Sequence, residues 1–255
     1  MSCKVIGVIP ARYGASRFPG KPLAMICGKP MIIHVYERAK QAKLLTDLLI
    51  ATDDDRIMAV AEQYHAKAVM TRSDHPSGSD RIAEAVQNED VDIVVNIQGD
   101  EPLIIPEMLD QVVAPLVQDR NIVMGTMKKK IVNPDDLNNP NVVKVVTDQQ
   151  GFALYFSRSC VPYPKKGFQS LDSGSISPDV YKHLGIYVYQ KEFLLNYTKM
   201  NPGVLEKIEE LEQLRVLENG YRIKVVESSF ETQAVDTPED LIKVEKLMQS
   251  HIKGY

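Results

Sequence analysis

The sequence predicts an α/β protein, built on a mostly parallel or mixed central sheet with helices on both faces. Three observations point there. Short β-branched runs alternate with amphipathic segments through the first half, the pattern of strand–helix–strand units. The chain is 255 residues long, enough to bury roughly 70–75% of its unfolded surface around one large core. Its 44% hydrophobic and 25% charged residues are ordinary for a globular protein.

The elements follow in order. Lys4–Pro10 reads as a buried strand, and Pro30–Ala42 as a helix with proline at its first position. Leu48–Thr52 is the next strand and Arg56–Tyr64 the next helix, and Ala68–Thr71, Ser79–Gln87 and Asp92–Ile97 continue the alternation. Glu107–Leu116 follows as a helix. From residue 121 the pattern changes. Val142–Thr147 and Phe152–Ser157 flank Gln149-Gln150-Gly151, a hairpin turn. The Pro/Ser/Gly-rich stretch Pro162–Pro178 reads as a surface loop, and Leu184–Tyr189 as a strand. Leu205–Glu218 carries apolar residues at every third position, which predicts one helix with a slowly drifting face, stopped at Asn219-Gly220. The last helix opens at Thr237-Pro238-Glu239-Asp240, a capping-box-like start.

Charge and cysteines exclude several classes. A formal net charge of −4 argues against a general nucleic-acid binder, which would be basic. Cys3, Cys27 and Cys160 form no CxxC pair and suggest a reducing compartment. The apolar run Val5–Ile9 is too short for a signal peptide, and nothing approaches the ~20 apolar residues of a membrane span. A soluble, cytoplasmic protein is expected.

Within this acidic chain one loop is basic. Pro10–Pro22 follows the first strand and holds Arg12, Arg17 and Lys21, with Gly14 and Gly20 to let the backbone approach a ligand. Open α/β sheets bind ligands beyond the carboxyl ends of their strands, where this loop must lie. A nucleoside triphosphate fits such a cluster. The familiar P-loop does not, because Pro22 stands where its metal-binding hydroxyl would be, and no GxGxxG occurs for a dinucleotide.

Two acidic positions also fall at strand or helix ends. Asp100 lies in Gln98-Gly99-Asp100-Glu101-Pro102 at the end of a predicted strand, and Asp236 precedes the final helix. Together they offer the oxygen ligands that Mg2+ shares with phosphate and water. Separately, Asp100 could close a turn and Asp236 could cap the helix. Arg158 ends a hairpin strand, His183 and Tyr187 share one strand face, and Glu212 and Gln213 lie on the leucine-striped helix. The five histidines form no zinc pattern.

These motifs resemble the 3-deoxy-manno-octulosonate cytidylyltransferases, also called CMP-Kdo synthetases. The likeness rests on Ile9–Leu23, Ala51–Asp55, Asn96–Pro102, Asn139–Val146, Ala153–Arg158, His183–Tyr187, Leu211–Arg215 and Val235–Asp240, in that order over nearly the whole chain. It departs at Pro76 and in the variable stretch Pro162–Tyr181. The resemblance implies a nucleotidyltransferase fold of the glycosyltransferase-A kind with a smaller β-rich dimerisation lobe, and hence a homodimer. It implies one domain over 1–255, with a CTP-binding part (1–130), a sugar-acid and dimerisation part (131–230), and a closing part with the metal aspartate and last helix (231–255).

It further implies CTP and Kdo as substrates, Mg2+ as cofactor, and CMP-Kdo for lipopolysaccharide synthesis as product. By the same resemblance Arg12, Arg17 and Lys21 hold the triphosphate, Asp100 and Asp236 the metal, and His75, Ser77 and Gly78 the cytosine. Lys21, Asp100, Asp236 and Arg12 are then the catalytic set. Arg81, Gln98, Arg158, His183, Tyr187, Glu212 and Gln213 face the sugar acid, with the arginines and histidine suited to its carboxylate. Competing readings are transfer to a related acid, such as sialic acid or 8-amino-Kdo, and a nucleotide-binding regulatory module. The combination of Lys21, Asp100 and Asp236 argues against the module, since binding alone does not need two metal carboxylates.

Overall fold

The structure, a computed structural model, describes residues 3–14, 18–170 and 176–253. Its contacts divide the chain into two compact units, residues 1–110 with 232–255 and residues 111–231. In chain order the first unit holds β1 (Val5–Ala11), β2 (Met25–Ile26), β3 (Lys29–Pro30), α1 (Met31–Ala39), β4 (Asp47–Thr52), α2 (Asp55–Gln63), β5 (Ala68–Met70), α3 (Gly78–Val86) and β6 (Ile93–Asn96). Helix α4 (Pro106–Gln118) contains the boundary. The second unit continues with β7 (Met124–Lys130), α5 (Asp135–Asn138), β8 (Lys144–Thr147), β9 (Ala153–Ser157), β10 (Gln169–Ser170), β11 (Ile176–Ser177) and β12 (Tyr181–Gln190). After it come α6 (Lys191–Tyr197), α7 (Val204–Glu209), α8 (Gln213–Glu218) and β13 (Ile223–Glu227), and α9 (Pro238–Lys253) returns to the first unit.

The first unit carries a parallel sheet in the order β6-β1-β4-β5. Both faces of its central strands must be covered, which is why β1 reads as a continuous apolar run and Val5, Ile6, Val8 and Ile9 are all buried. The chain moves outward from β1 to β4 and β5, then returns to β6 on the other side of β1. Right-handed crossovers therefore put α1 and α2 on one face and α3 on the other. The reversal makes a switch point between the carboxyl ends of β1 and β6, the place where such sheets bind ligands.

The second unit is mixed, in the order β13-β7-β12-β8-β9. β13 runs parallel to β7, and the other pairs are antiparallel. The expected hairpin across Gln149–Gly151 is present as β8 and β9, with Gly151 at φ 76°. The α/β class and mixed sheet hold, while β7 and β13 were not anticipated. The loop expected over Pro162–Pro178 lies partly outside the described residues, and the described part contributes the short pair β10–β11.

One expectation fails. Leu205–Glu218 is not one helix but two, α7 and α8, broken at Glu210, which takes φ 51° and ψ 48°. Arg158 explains the break. Its Nε donates to the Glu209 carbonyl at 2.6 Å and its Nη2 to the Glu210 carbonyl at 3.3 Å, taking acceptors that a continuing helix would need. The three-residue apolar recurrence misled because it spans two phases: Ile208 is 73% exposed, whereas Leu214 is fully buried.

Candidate active site

Three sequence-distant residues meet at the switch point. β1 ends at Ala11, and the chain then runs through exposed Arg12. Arg17, expected to bind phosphate, lies outside the described residues. Gly20 adopts φ 72° and leads into a 3-10 turn that begins with Lys21. The Lys21 ammonium donates to Asp100 Oδ2 at 2.7 Å and to Asp236 Oδ1 at 3.3 Å.

Asp100 is placed by the turn after β6. A Cβ on Gly99 would stand 3.1 Å from the Pro10 carbonyl and 3.3 Å from Ile32 and Ile9 side-chain atoms, so only glycine packs there without displacement. Asp236 is placed by α9. Thr237 caps that helix: its Oγ1 accepts from Asp240 N at 3.2 Å, while Asp240 Oδ2 accepts from Thr237 N at 3.1 Å. This reciprocal capping box relieves Asp236 of the capping role. A backbone bond from Val235 N to the Asp100 carbonyl (2.9 Å) ties the two turns together. Beneath them Val235, Val244 and Met248 pack with Ile26 and Met31 in one buried cluster, each large apolar side chain contributing roughly 1.5–3 kcal/mol.

The two carboxylates already share one cation, the Lys21 ammonium, and their side chains keep 28% and 44% exposure. Partly open oxygen donors of this kind fit Mg2+, which binds one or two carboxylates and completes its shell with phosphate and water. Next to them, Glu101 was missed by the sequence reading. It is buried, its Oε2 has no partner among the described residues, and burial together with the Asp100 charge pushes its carboxyl up to about 7.

The expected cytosine segment surrounds the start of α3. Ser77 is the N-cap, accepting from Asp80 N at 3.3 Å and donating to Asp80 Oδ2 at 2.7 Å. Gly78 follows it, and a Cβ added there would stand 3.6 Å from the Pro10 ring, in ordinary contact. His75 pairs through Nε2 with Glu84, which also accepts from Arg72. Arg81 is 4% exposed and bonds Thr71 Oγ1 (2.6 Å) and Asp53 Oδ2 (2.8 Å). It thus lies on α3 with the cytosine segment, within the first unit. Gln98 is half-buried in the turn before Asp100.

The remaining sugar-acid candidates belong to the second unit. β12 bulges between Leu184 and Tyr187, and the buried Thr126 hydroxyl reaches the freed Leu184 and Ile186 carbonyls at 3.2 and 2.8 Å. Because that hydroxyl donates to backbone, it accepts from His183 Nε2 at 2.8 Å, which fixes the ring proton there. Burial drives the His183 imidazolium down to about 3, so the ring is neutral and offers Nδ1 as an acceptor. That chemistry suits a sugar hydroxyl and does not support the expected pairing with a carboxylate.

Tyr187 lies 5.3 Å from His183 between ring centroids and donates to Gln213 Oε1 at 3.0 Å. Gln213 is 3% exposed, and its amide nitrogen has no partner among the described residues. An unpaired buried donor is costly, and it leaves this amide a hydrogen bond that a ligand can satisfy. Glu212 is exposed at the start of α8, and its carbonyl accepts from Tyr197. Arg158 spends three nitrogens on the Glu209, Glu210 and Pro140 carbonyls, so the elbow before Gln213 depends on it.

Comparison with known proteins shows the family. The cytidylyltransferase family model matches residues 6–225. The 3-deoxy-manno-octulosonate cytidylyltransferase of Solibacter usitatus is 52% identical over 99% of this chain and 97% of its own length. That of Geotalea daltonii is 52% identical over 94% and 96%. A solved structure of CMP:2-keto-3-deoxy-manno-octonic acid synthetase complexed with CTP superposes with a TM-score of 0.90 at 41% identity, covering 97% of this chain and 99% of that one. With half its residues shared along nearly its full length, the chain belongs to the 3-deoxy-manno-octulosonate cytidylyltransferase family.

Proposed function

We propose that this protein transfers CMP from CTP to Kdo, giving CMP-Kdo and pyrophosphate, as the names of its relatives describe. The observation that carries the reading is the Lys21 ammonium held between Asp100 and Asp236 at the switch point of the sheet. The anomeric 2-hydroxyl of Kdo attacks the α-phosphorus of CTP. A carbon–oxygen–phosphorus link forms, the bond to the β-phosphate oxygen breaks, and the hydroxyl proton passes to solvent.

Such transfer needs little covalent help from a protein; positioning and charge neutralisation supply most of the catalysis. Lys21, with Arg12 and Arg17, neutralises the triphosphate and the charge that moves onto the leaving pyrophosphate. Asp100 and Asp236 would hold Mg2+, which would supply charge neutralisation at the phosphate oxygens. His75, Ser77 and Gly78 take the cytosine. Arg81, Gln98 and Arg158 serve the sugar-acid side, with Arg158 also bracing the α7–α8 elbow. His183 accepts from a sugar hydroxyl, Gln213 donates through its open amide, and Tyr187 holds Gln213 in place beside Glu212.

The reading extends to a homodimer, supported by Leu154, Val204 and Ile208 standing 62%, 68% and 73% exposed on the second unit; sedimentation of the purified chain tests it. It extends also to the cytoplasm and to lipopolysaccharide synthesis. The three cysteines form no disulfide, as in a reducing compartment, and no described helix is long and apolar enough to cross a membrane. The deciding experiment measures pyrophosphate release with CTP, Mg2+ and a panel of sugar acids. Release should require CTP, metal and Kdo together. Equal rates with ATP, without sugar acid, or with sialic acid in place of Kdo would overturn the assignment.

A further inference from the structure

The basic loop after β1 is closed by its own second residue. The Gly20 N–H donates to the Tyr13 carbonyl at 2.9 Å, so Tyr13 and Gly20 form the neck of the loop. The Tyr13 ring rests on that neck: a Cβ at position 20 would come within 3.1 Å of its Cζ and Oη. Gly20, at φ 72°, hands the chain directly to Lys21.

A second group holds the same ring. The Arg56 guanidinium carbon stands 3.2 Å from the Tyr13 centroid. This arginine is already engaged. Its Nε and Nη2 donate to the two oxygens of Asp54 at 2.9 and 2.7 Å, and its own N–H donates to the same carboxylate at 3.0 Å, where Asp54 caps α2. A guanidinium tied edge-on to a carboxylate keeps its flat face for an aromatic ring, which an ammonium could not do. The result is a continuous path from the rigid start of α2, through Arg56 and Tyr13, to Gly20 and Lys21.

We propose that Tyr13 and Arg56 form a latch that fixes the neck of the triphosphate loop and so sets where the Lys21 ammonium stands. Both are positioning residues; neither touches the reacting atoms. The proposal rests on reading this loop as the CTP triphosphate site, and it adds a way in which nucleotide affinity depends on residues outside the basic set.

The test compares wild type with Tyr13→Phe, Tyr13→Ala, Arg56→Ala and the double alanine variant. Calorimetry gives Mg2+-CTP binding without sugar, and steady-state kinetics gives KM for each substrate. Tyr13→Ala should weaken CTP binding and raise KM for CTP about five- to tenfold, leaving KM for Kdo within about twofold. Arg56→Ala should weaken CTP about two- to fivefold, the range of an exposed cation–π contact. The double variant should be no worse than Tyr13→Ala, because the two act as a unit, and Tyr13→Phe should bind as wild type does. If Tyr13→Ala does not fold, Tyr13→Leu fills the space without the aromatic face and takes its place.

Multiplying losses in the double variant would overturn the latch, as would Arg56→Ala proving more damaging than Tyr13→Ala, the mark of a direct phosphate contact. So would Tyr13→Phe behaving like Tyr13→Ala. Failure of the wild type to bind CTP would instead sink the reading of the loop itself.

Discussion

Replacing Lys21 by alanine should separate two properties that usually fall together, metal affinity and turnover. The ammonium bridges Asp100 at 2.7 Å and Asp236 at 3.3 Å, and the two carboxylates are 28% and 44% exposed. At that exposure an ion pair contributes roughly 0.2–1 kcal/mol, so the two pairs together hold the ammonium by about 1 kcal/mol. A divalent ion entering the same carboxylates without nucleotide must displace or crowd it. Lys21→Ala should therefore bind Mn2+, used as a spectroscopic probe, about fivefold more tightly, the ratio that 1 kcal/mol represents. Turnover should move the other way. With CTP bound, the ammonium meets charge shifting onto pyrophosphate, and losing one such preorganised group costs roughly 10²–10³ in kcat. Electron paramagnetic resonance titration of the nucleotide-free variant, paired with pyrophosphate release, measures both. Weaker Mn2+ binding, or a kcat within about tenfold of wild type, would refute the idea that Lys21 is poised between the carboxylates and the phosphates.

Two further outcomes are expected. His183→Ala should raise KM for Kdo well above any change in KM for CTP, and the wild-type KM for Kdo should show no imidazole titration near pH 6.5, because burial keeps His183 neutral down to about 3. Its contribution to stability is complete above pH 6.5 and is lost as pH falls toward 3. Glu101 has the opposite sign: its carboxyl is raised to about 7, so its contribution is complete below pH 4.5 and is lost as pH rises through 7. Glu101→Gln should thus raise Tm by several degrees at pH 8, where the charged form costs up to about 3 kcal/mol, and leave it nearly unchanged at pH 5. Thermal scans at both pH values check this, and an equal shift at each would show that charge is not the cause.

Most of the first unit was legible because its central strands β1, β4 and β6 are buried almost throughout, and the chain after β1 and after β6 is marked by glycines, Gly14 and Gly99. Lys21, Asp100 and Asp236 could be picked out as a cation of a basic loop and two acids at strand or helix ends. The capping box at Thr237 was legible too, since its residues are local. What stayed hidden depends on distant partners. β7, with the sequence Met-Gly-Thr-Met-Lys-Lys-Lys, looks like no strand until its lysines find Glu231 and Asp179. The α7–α8 break needs Arg158 from β9's end. The tautomer of His183 needs Thr126 from a neighbouring strand, and the Tyr13–Arg56 stack needs a loop and a helix that no periodicity links.

The backbone bond between Val235 and Asp100 has a consequence for how the protein is made. Residues 111–231 form a contiguous unit, whereas the first unit is complete only once the chain returns through residues 232–255. Asp100 emerges early and has no carboxylate partner until Asp236 follows. A nascent chain stalled anywhere before that point carries a basic loop and one aspartate, and so cannot assemble the pair that would hold a metal against CTP. Activity is therefore deferred until Asp236 has been made. A chain truncated before Asp236 should show no turnover at all, rather than behave as a slow enzyme.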